Sequence, residues 1–227
     1  GARVHPFHEV KGLLMEGNRV TGIHVWDRIG LREFDIHADM VINASGPWAE
    51  DIAGMAGIDV PVVPTPGVMV SMTGRYCQRV INRLNKSSDG DIVVPQRETS
   101  IIGTSSWTVE DPDYIEVPKE HVQMMYDRGS EMIPILKTVK PRGIFVVARP
   151  LIGKRGEDAR EVSRTFECFD HARDGVEGFV TISGGKTTSA RAMAEKTVDV
   201  VCDKLDLDIP CQTRDTALLS YRAYYTI

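Results

Sequence analysis

The sequence predicts a mixed α/β protein that is divided into two domains. Short β-prone runs separated by turn residues fill most of residues 4–44 and recur between residues 68 and 105. Two longer stretches, at about residues 118–136 and from residue 187 onward, carry apolar side chains at helical spacing. The stretch from Val60 to Gly67 contains three prolines and is typical of a crossover, so we expect the domain change near residue 62.

The first 44 residues predict a β-meander that leads into a further strand and a tight turn. The meander strands are expected at Phe7–Met15, Val20–Trp26 and Arg32–His37, because turn residues separate these runs. An apolar strand within residues 38–44 then enters the turn Ser45-Gly46-Pro47-Trp48. Small residues leave the backbone amides of such a turn accessible, so a ligand can come close to this sheet edge.

The remaining elements follow from the same signals. A short helix is expected over residues 48–56, and Gly57 stops it. The helix at 118–136 has Pro118 in its first turn, where proline is favoured. The last helix begins near Thr187, and Thr187, Thr188 or Ser189 can cap it. Further strands are predicted at residues 68–73, 78–84, 91–95, 99–105, 144–150, 162–170 and 179–183.

The composition indicates a soluble globular protein. The formal net charge is −5, so we expect no general attraction to nucleic acid, and any anion site depends on a local basic cluster. No apolar run approaches the roughly 20 residues that span a bilayer. The cysteines lie far apart without metal-binding spacing, which argues against a zinc or iron–sulfur centre and favours a reducing cytoplasm; they are Cys77, Cys168, Cys202 and Cys211.

A Gly-Gly turn between a predicted strand and a predicted helix is the strongest local signal. The segment is Ser183-Gly184-Gly185-Lys186-Thr187-Thr188. It offers free amides and the positive end of a helix dipole, which favour an anionic or electron-rich ligand group. Tight packing explains many junctions of this kind, so a ligand site here requires support from other residues.

Three cations near strand ends provide that support. Arg149 and Arg164 lie on separate β-prone segments, and Arg149 follows apolar residues 146–148. The planar guanidinium group suits phosphate or carboxylate, although a structural ion pair with Asp or Glu is the alternative for a single arginine. Two arginines together with Lys186 are candidates for an anion site.

Several segments, in this order, resemble the FAD-dependent glycerol-3-phosphate dehydrogenases, members of the D-amino-acid-oxidase-like superfamily. The segments are residues 41–48 (VINASGPW), 91–95 (DIVVP) with 103–105 (GTS), 148–151 (ARPL) and 184–195 (GGKTTSARAMAE). The spacing of Arg149, Arg164 and Lys186 matches that family's substrate-site cations. The tail from Pro210 resembles the stretch after the FAD domain in the large subunit of the anaerobic enzyme.

The resemblance implies FAD as cofactor and oxidation of sn-glycerol 3-phosphate to dihydroxyacetone phosphate. Electrons would pass to a quinone through other domains or subunits, which would also attach a cytoplasmic protein to the inner face of the cell membrane. Arg149, Arg164 and Lys186 would hold the phosphate and polarise the reacting oxygen. The residues beside the cofactor would be Ala44, Ser45, Gly46, Pro47, Trp48, Gly184, Gly185, Lys186, Thr187 and Thr188.

The resemblance also assigns the domains. Residues 1–61 and 151–209 would form part of an FAD-binding domain, residues 62–150 an antiparallel-sheet substrate cap, and residues 210–227 a tail leading to a further redox domain. The sequence has no GxGxxG motif, with which the family grips the ADP half of FAD. We therefore expect a fragment that is inactive alone.

Two alternative functions stay open at this point. An amino-acid or hydroxy-acid oxidase of the same superfamily would present a carboxylate to the arginines. A non-catalytic module would act as a substrate cap and docking surface for partners. No general base is identifiable, because the histidines have no motif context and each is expected at the surface or in a turn; they are His5, His8, His24, His37, His121 and His171.

Overall fold

The computed structural model describes residues 2–84, 89–153 and 165–218. The chain forms two compact units, Gly1–Val60 with Arg164–Ile227, and Pro61–Ser163. Arg164, one of the predicted site residues, lies outside the described residues. Within the described ranges, no helix combines the length and the apolar character needed to cross a membrane.

The described residues form both strands and α-helices, which confirms the predicted mixed α/β class. The strands are β1 (His8–Glu16), β2 (Arg19–Asp27), β3 (Arg32–His37), β4 (Val41–Asn43), β5 (Val62–Thr73), β6 (Ile81–Asn82), β7 (Ile92–Gln96), β8 (Thr99–Gly103), β9 (Pro141–Ile152), β10 (Phe166–Asp170) and β11 (Phe179–Gly184). The α-helices are α1 (Ala49–Gly54), α2 (Lys119–Met132) and α3 (Ala190–Lys204). Short 3-10 turns occupy Gly46–Trp48, Pro134–Thr138, His171–Asp174 and Thr187–Ser189.

The first unit contains two three-stranded sheets. One has the antiparallel order β1-β2-β3, which confirms the predicted meander, and its central strand buries Val20 and Val25. The other has the order β10-β11-β4, with β11 antiparallel to β10 and parallel to β4. Phe179 and Val180 of β11 are fully buried, because both α1 and α3 pack against this sheet. The parallel pair β4 and β11 positions the candidate site.

The second unit is an antiparallel five-stranded sheet with α2 on one face. The strand order is β6-β7-β8-β5-β9. Successive side chains of each strand point to opposite faces of the sheet, so one face packs in the core and the opposite face carries the intervening residues. Thr65 and Gly67 of β5 and Arg149 of β9 lie on the face opposite the core. The core face and α2 bury Val68, Val70, Met72, Val93, Ile102, Met125 and Leu136.

The proline-containing stretch from Val60 to Gly67 is mainly a strand, and the predicted crossover is wrong for residues 62–67. Strand β5 begins at Val62 and pairs with β9 through both Pro64 and Pro66. The carbonyl groups of these prolines accept hydrogen bonds from Val109 (3.1 Å) and Trp107 (3.3 Å). In an antiparallel strand the N–H and C=O of one residue point to the same side. The positions where Pro64 and Pro66 lack an N–H therefore face residues 107–109, and the hydrogen bonds between β5 and β9 stay intact.

Other predicted boundaries shift for local reasons. Residues 78–84 contain only the short strand β6, and α2 ends at Met132 because Pro134 opens a 3-10 turn. The last predicted helix starts as the 3-10 turn Thr187–Ser189 and becomes α-helical at Ala190. Strand β9 continues to Ile152, so the described residues 151–153 belong to the second unit and not to the first, where we had expected them.

Candidate functional site

Two of the predicted ligand-binding segments leave the same edge of a sheet. Strands β4 and β11 are parallel neighbours, with Asn43 paired to Thr181. The turn at residues 44–48 follows β4, and the turn at residues 185–189 follows β11. Because the carboxyl ends of parallel strands meet at one edge, the structure brings these two turns together, and such edges are the usual ligand sites of α/β sheets.

Asn43 fixes the first turn, although the sequence analysis did not single it out. Its side chain is 3% exposed and makes four hydrogen bonds. The amide nitrogen donates to the carbonyl oxygen of Ala49 (2.8 Å) and to Oγ1 of Thr181 (3.2 Å). The amide oxygen accepts from the backbone N–H (3.2 Å) and the hydroxyl (2.6 Å) of Ser45. One side chain thus spans the turn and ties it to β11.

The second turn depends on its two glycines. Gly184 and Gly185 have φ angles of 80° and 75°, a left-handed region that other residues rarely adopt. A Cβ at position 185 would also lie 2.7 Å from the sulfur of Met193. Both residues must therefore be glycine for the chain to turn sharply from β11 toward α3.

The residues after the glycines form a self-contained loop. Ser189 Oγ accepts from the backbone N–H of Lys186 (3.0 Å) and donates to its carbonyl oxygen (2.7 Å). Ser189, one of the three predicted capping residues, occupies the N-cap position of α3, but its hydroxyl bonds to the preceding loop and makes no capping hydrogen bond to α3. The side chains of Lys186, Thr187 and Thr188 are exposed.

Ser183 has a buried hydroxyl that no described residue satisfies. It is the residue before the two glycines, is 2% exposed, and its Oγ has no hydrogen-bond partner within the described ranges. Buried polar atoms nearly always have a partner, which can be a protein group, water or a ligand. The Ser183 hydroxyl at this strand end therefore has hydrogen-bonding capacity left for a water molecule or a ligand.

His171 is a buried histidine that the sequence analysis did not single out. It lies in a turn, as expected, but it is 1% exposed rather than a surface residue. Its Nδ1 lies 2.9 Å from Oδ2 of Asp174, and its Nε2 lies 2.8 Å from Oγ1 of Thr181. Polar residues at alternate positions of a buried strand, Thr181 and Ser183, were the sequence signal that could have indicated this polar face.

Arg149 is held by the second unit through backbone and hydroxyl groups. Its Nη1 donates to the carbonyl oxygens of Thr65 (3.3 Å) and Pro66 (3.4 Å). Its Nη2 donates to Oγ1 of Thr104 (2.9 Å) and to the carbonyl oxygen of Ser105 (3.3 Å). These contacts fix the position of the guanidinium group. Lys186 lies in the first unit and Arg149 in the second, so each is placed only within its own unit.

The family model for FAD-dependent oxidoreductases (DAO) matches residues 1–199. The chain belongs to the DAO family of FAD-dependent oxidoreductases. Among DAO-type relatives, it is 39% identical over 233 residues to a subunit of the anaerobic glycerol-3-phosphate dehydrogenase of Haloferax volcanii, with 96% of this chain and 39% of that protein covered. It is 38% identical to the corresponding subunit from Escherichia coli K12, with 96% of this chain and 41% of that protein covered. The chain therefore spans about two fifths of these relatives.

Solved structures share the DAO-type fold. A glycerol-3-phosphate dehydrogenase from Bacillus halodurans, solved with FAD, superposes with a TM-score of 0.73 at 23% identity over 91% of this chain and 40% of that one. A glycine oxidase from Geobacillus kaustophilus superposes with a TM-score of 0.66 at 17% identity over 97% of this chain and 54% of that one. At these identities the likeness describes the fold alone.

The first unit carries features that suit part of an FAD site. The Ser183 hydroxyl, which has no partner among the described residues, and the glycine-containing turns beside it leave hydrogen-bonding groups at this sheet edge. FAD carries many hydrogen-bonding oxygens and nitrogens, so the donor and acceptor chemistry matches. The residues that could hold it are Ala44, Ser45, Gly46, Pro47, Trp48, Gly184, Gly185, Lys186, Thr187 and Thr188.

Proposed function

We propose that this chain is part of an FAD-dependent glycerol-3-phosphate dehydrogenase of the anaerobic type. The observation that carries the proposal is the similarity to one subunit of such enzymes, at 36–39% identity across 96% of the chain. The shared sheet edge beneath residues 44–48 and 185–189 supports the same proposal, because both turns lie where a nucleotide cofactor can approach backbone amides.

In this proposal the two units have different roles. The first unit contributes part of the FAD-binding domain, and the second contributes the substrate cap. FAD held by residues 44–48 and 184–188 would supply the hydride acceptor for oxidation of the secondary alcohol of sn-glycerol 3-phosphate to dihydroxyacetone phosphate, and the hydroxyl proton would pass to solvent. Helix α3 begins at Ala190, beside the proposed cofactor segment, and its N-terminal dipole would stabilise negative charge that develops nearby during the reaction.

The proposed role of Arg149, Arg164 and Lys186 is to hold the substrate. A phosphate dianion requires several cationic contacts, and a planar guanidinium group offers two parallel donors. The contacts of Arg149 with Thr65 and Thr104 support this role, because a fixed cation can orient the substrate before reaction. One of the three cations would also polarise the reacting oxygen.

The acceptor of the electrons is proposed to be a quinone. Because the relatives are named as one subunit of their enzymes, we propose that partner subunits receive the electrons and attach the protein to the inner face of the cell membrane. A membrane-fraction assay of the full-length protein with and without those partners would test this arrangement.

Substitution of the proposed substrate cations tests the function. In the full-length protein, we expect Arg149→Ala and Lys186→Ala to lower turnover of glycerol 3-phosphate by about a hundredfold or more, as for loss of other oriented charge-stabilising groups. The FAD content should stay near that of the wild type. Near-normal turnover in both variants would overturn the proposed substrate site.

A further inference from the structure

A buried chain of hydrogen bonds links His171 to the turn after β4. It runs from Asp174 through His171 and Thr181 to Asn43, and from Asn43 to Ser45. We infer that this chain positions the proposed cofactor turn at residues 44–48, with His171 and Thr181 as positioning residues. The inference rests on the proposed function in one respect: it takes FAD to be the molecule that contacts this turn.

The directions of the hydrogen bonds follow from the chemistry of each group. The Asp174 carboxylate can only accept, so Nδ1 of His171 donates to it. In the neutral ring Nε2 is then an acceptor, and the Thr181 hydroxyl donates its single hydrogen to it. The oxygen of Thr181 is left to accept, and it does so from the amide nitrogen of Asn43.

The Asn43 amide faces the way that this order requires. Its nitrogen points to Thr181 and to the carbonyl oxygen of Ala49, so its oxygen points to Ser45. The reverse orientation would place an NH₂ group against the donating backbone N–H of Ser45 and an oxygen against the carbonyl of Ala49. The backbone groups of Ser45 and Ala49 thus require the same amide orientation as Thr181 does, and His171 is linked to the turn only through Thr181 and Asn43.

Burial makes the chain sensitive to the loss of its central links. Thr181 is 0% exposed, His171 1% and Asn43 3%, and the ring of His171 stacks on Phe179 at 4.9 Å between centroids. Water cannot readily replace a missing group at such positions, so the remaining partner stays unsatisfied. The described surroundings thus favour one arrangement of the turn.

The test removes one hydroxyl and measures FAD affinity in the full-length protein. Thr181→Val keeps the shape of the side chain and removes the link, whereas Thr181→Ser restores it. Thr197→Val is the matched control, because Thr197 is 3% exposed in the same unit and its hydroxyl bonds to the carbonyl oxygen of Met193 in α3. FAD dissociation is followed by flavin fluorescence, and unfolding temperature is recorded for every variant.

We expect Thr181→Val to raise the FAD dissociation constant about fivefold to tenfold, the range of one lost buried hydrogen bond. The dissociation constant of Thr181→Ser should lie within about twofold of the wild-type value. Thr197→Val should bind FAD normally even if its unfolding temperature falls as far as that of Thr181→Val. Unchanged FAD affinity in Thr181→Val would overturn the inference. Equal weakening in Thr181→Val and Thr197→Val would also overturn it, because the effect would then be general destabilisation.

A pair of His171 variants covers the case in which Thr181→Val does not fold. His171→Gln can place an acceptor near Thr181, whereas His171→Asn can reach Asp174 but leaves Thr181 without its acceptor. We expect weaker FAD binding in His171→Asn than in His171→Gln, and the opposite order would contradict the inference. FAD binding is measured independently of the substrate. Wild-type protein that binds FAD but does not oxidise glycerol 3-phosphate would refute the proposed function alone. Wild-type protein that binds no FAD would refute both the proposed function and this inference.

Discussion

Replacing Gly67 with alanine tests how the second unit holds Arg149. A Cβ at position 67 would lie 2.3 Å from Nη2 of Arg149, 2.4 Å from Oγ1 of Thr104 and 2.7 Å from the carbonyl oxygen of Ser105. These separations are far below van der Waals contact, so the guanidinium group must move and lose its bonds to the other two groups. Overpacking of this kind costs about 1–3 kcal/mol, and each kcal/mol lowers the unfolding temperature of a domain near 100 residues by about 4–8 °C.

Gly143→Ala provides the matched control. Gly143 lies on the neighbouring strand β9, and a Cβ there would meet nothing within 4 Å. We expect its unfolding temperature to stay within about 2 °C of the wild type, since surface changes rarely exceed about 0.5 kcal/mol. Thermal unfolding of the full-length protein, with KM for glycerol 3-phosphate measured in parallel, distinguishes the variants. Equal unfolding temperatures and equal KM values for both would refute the role assigned to Gly67 and to the fixed position of Arg149.

Two further predictions concern titrating groups of the first unit. Burial raises the pKa of the Cys168 thiol, so iodoacetamide at about pH 8 should modify exposed Cys211 faster than Cys168, as peptide mass spectrometry would measure; equal rates would contradict this. Burial alone would raise the pKa of Asp170, but the Lys204 ammonium group at 2.9 Å and the backbone N–H of Ala172 at 3.2 Å together outweigh burial and lower the pKa below its ordinary value of 3.8. Asp170→Asn should therefore have a lower free energy of unfolding than the wild type at neutral pH. This difference should vanish as the pH falls below 3.8 and through the lowered pKa of Asp170. A difference that stays the same at low pH would contradict the role of the Asp170 charge.

Local patterns in the sequence predicted the elements that surround the site. The meander of β1 to β3, the turn after β4 and the Gly-Gly turn after β11 all depend on turn residues and on strand or helix periodicity over short stretches. Such features are encoded by neighbouring residues, so they can be read from the chain without knowledge of its folding partners. The order of segments also carried the family resemblance.

Long-range pairing could not be predicted in the same way. The bond between Asn43 and Thr181 joins residues 138 positions apart, and it exists because β4 and β11 are parallel neighbours. The close approach of Arg149 to Gly67 likewise depends on the register of β5 with β9. Strand β5 was missed at its start because its prolines normally exclude a strand, whereas here their missing N–H groups face away from β9.

Flavin content and substrate oxidation of the full-length protein test the central claim most directly. The purified protein should be yellow, with the absorbance of bound FAD, and it should reduce an artificial dye with glycerol 3-phosphate but not with glycine. Protein that binds FAD and oxidises an amino acid instead would contradict the proposed substrate. Full-length protein that binds no flavin would contradict the account as a whole.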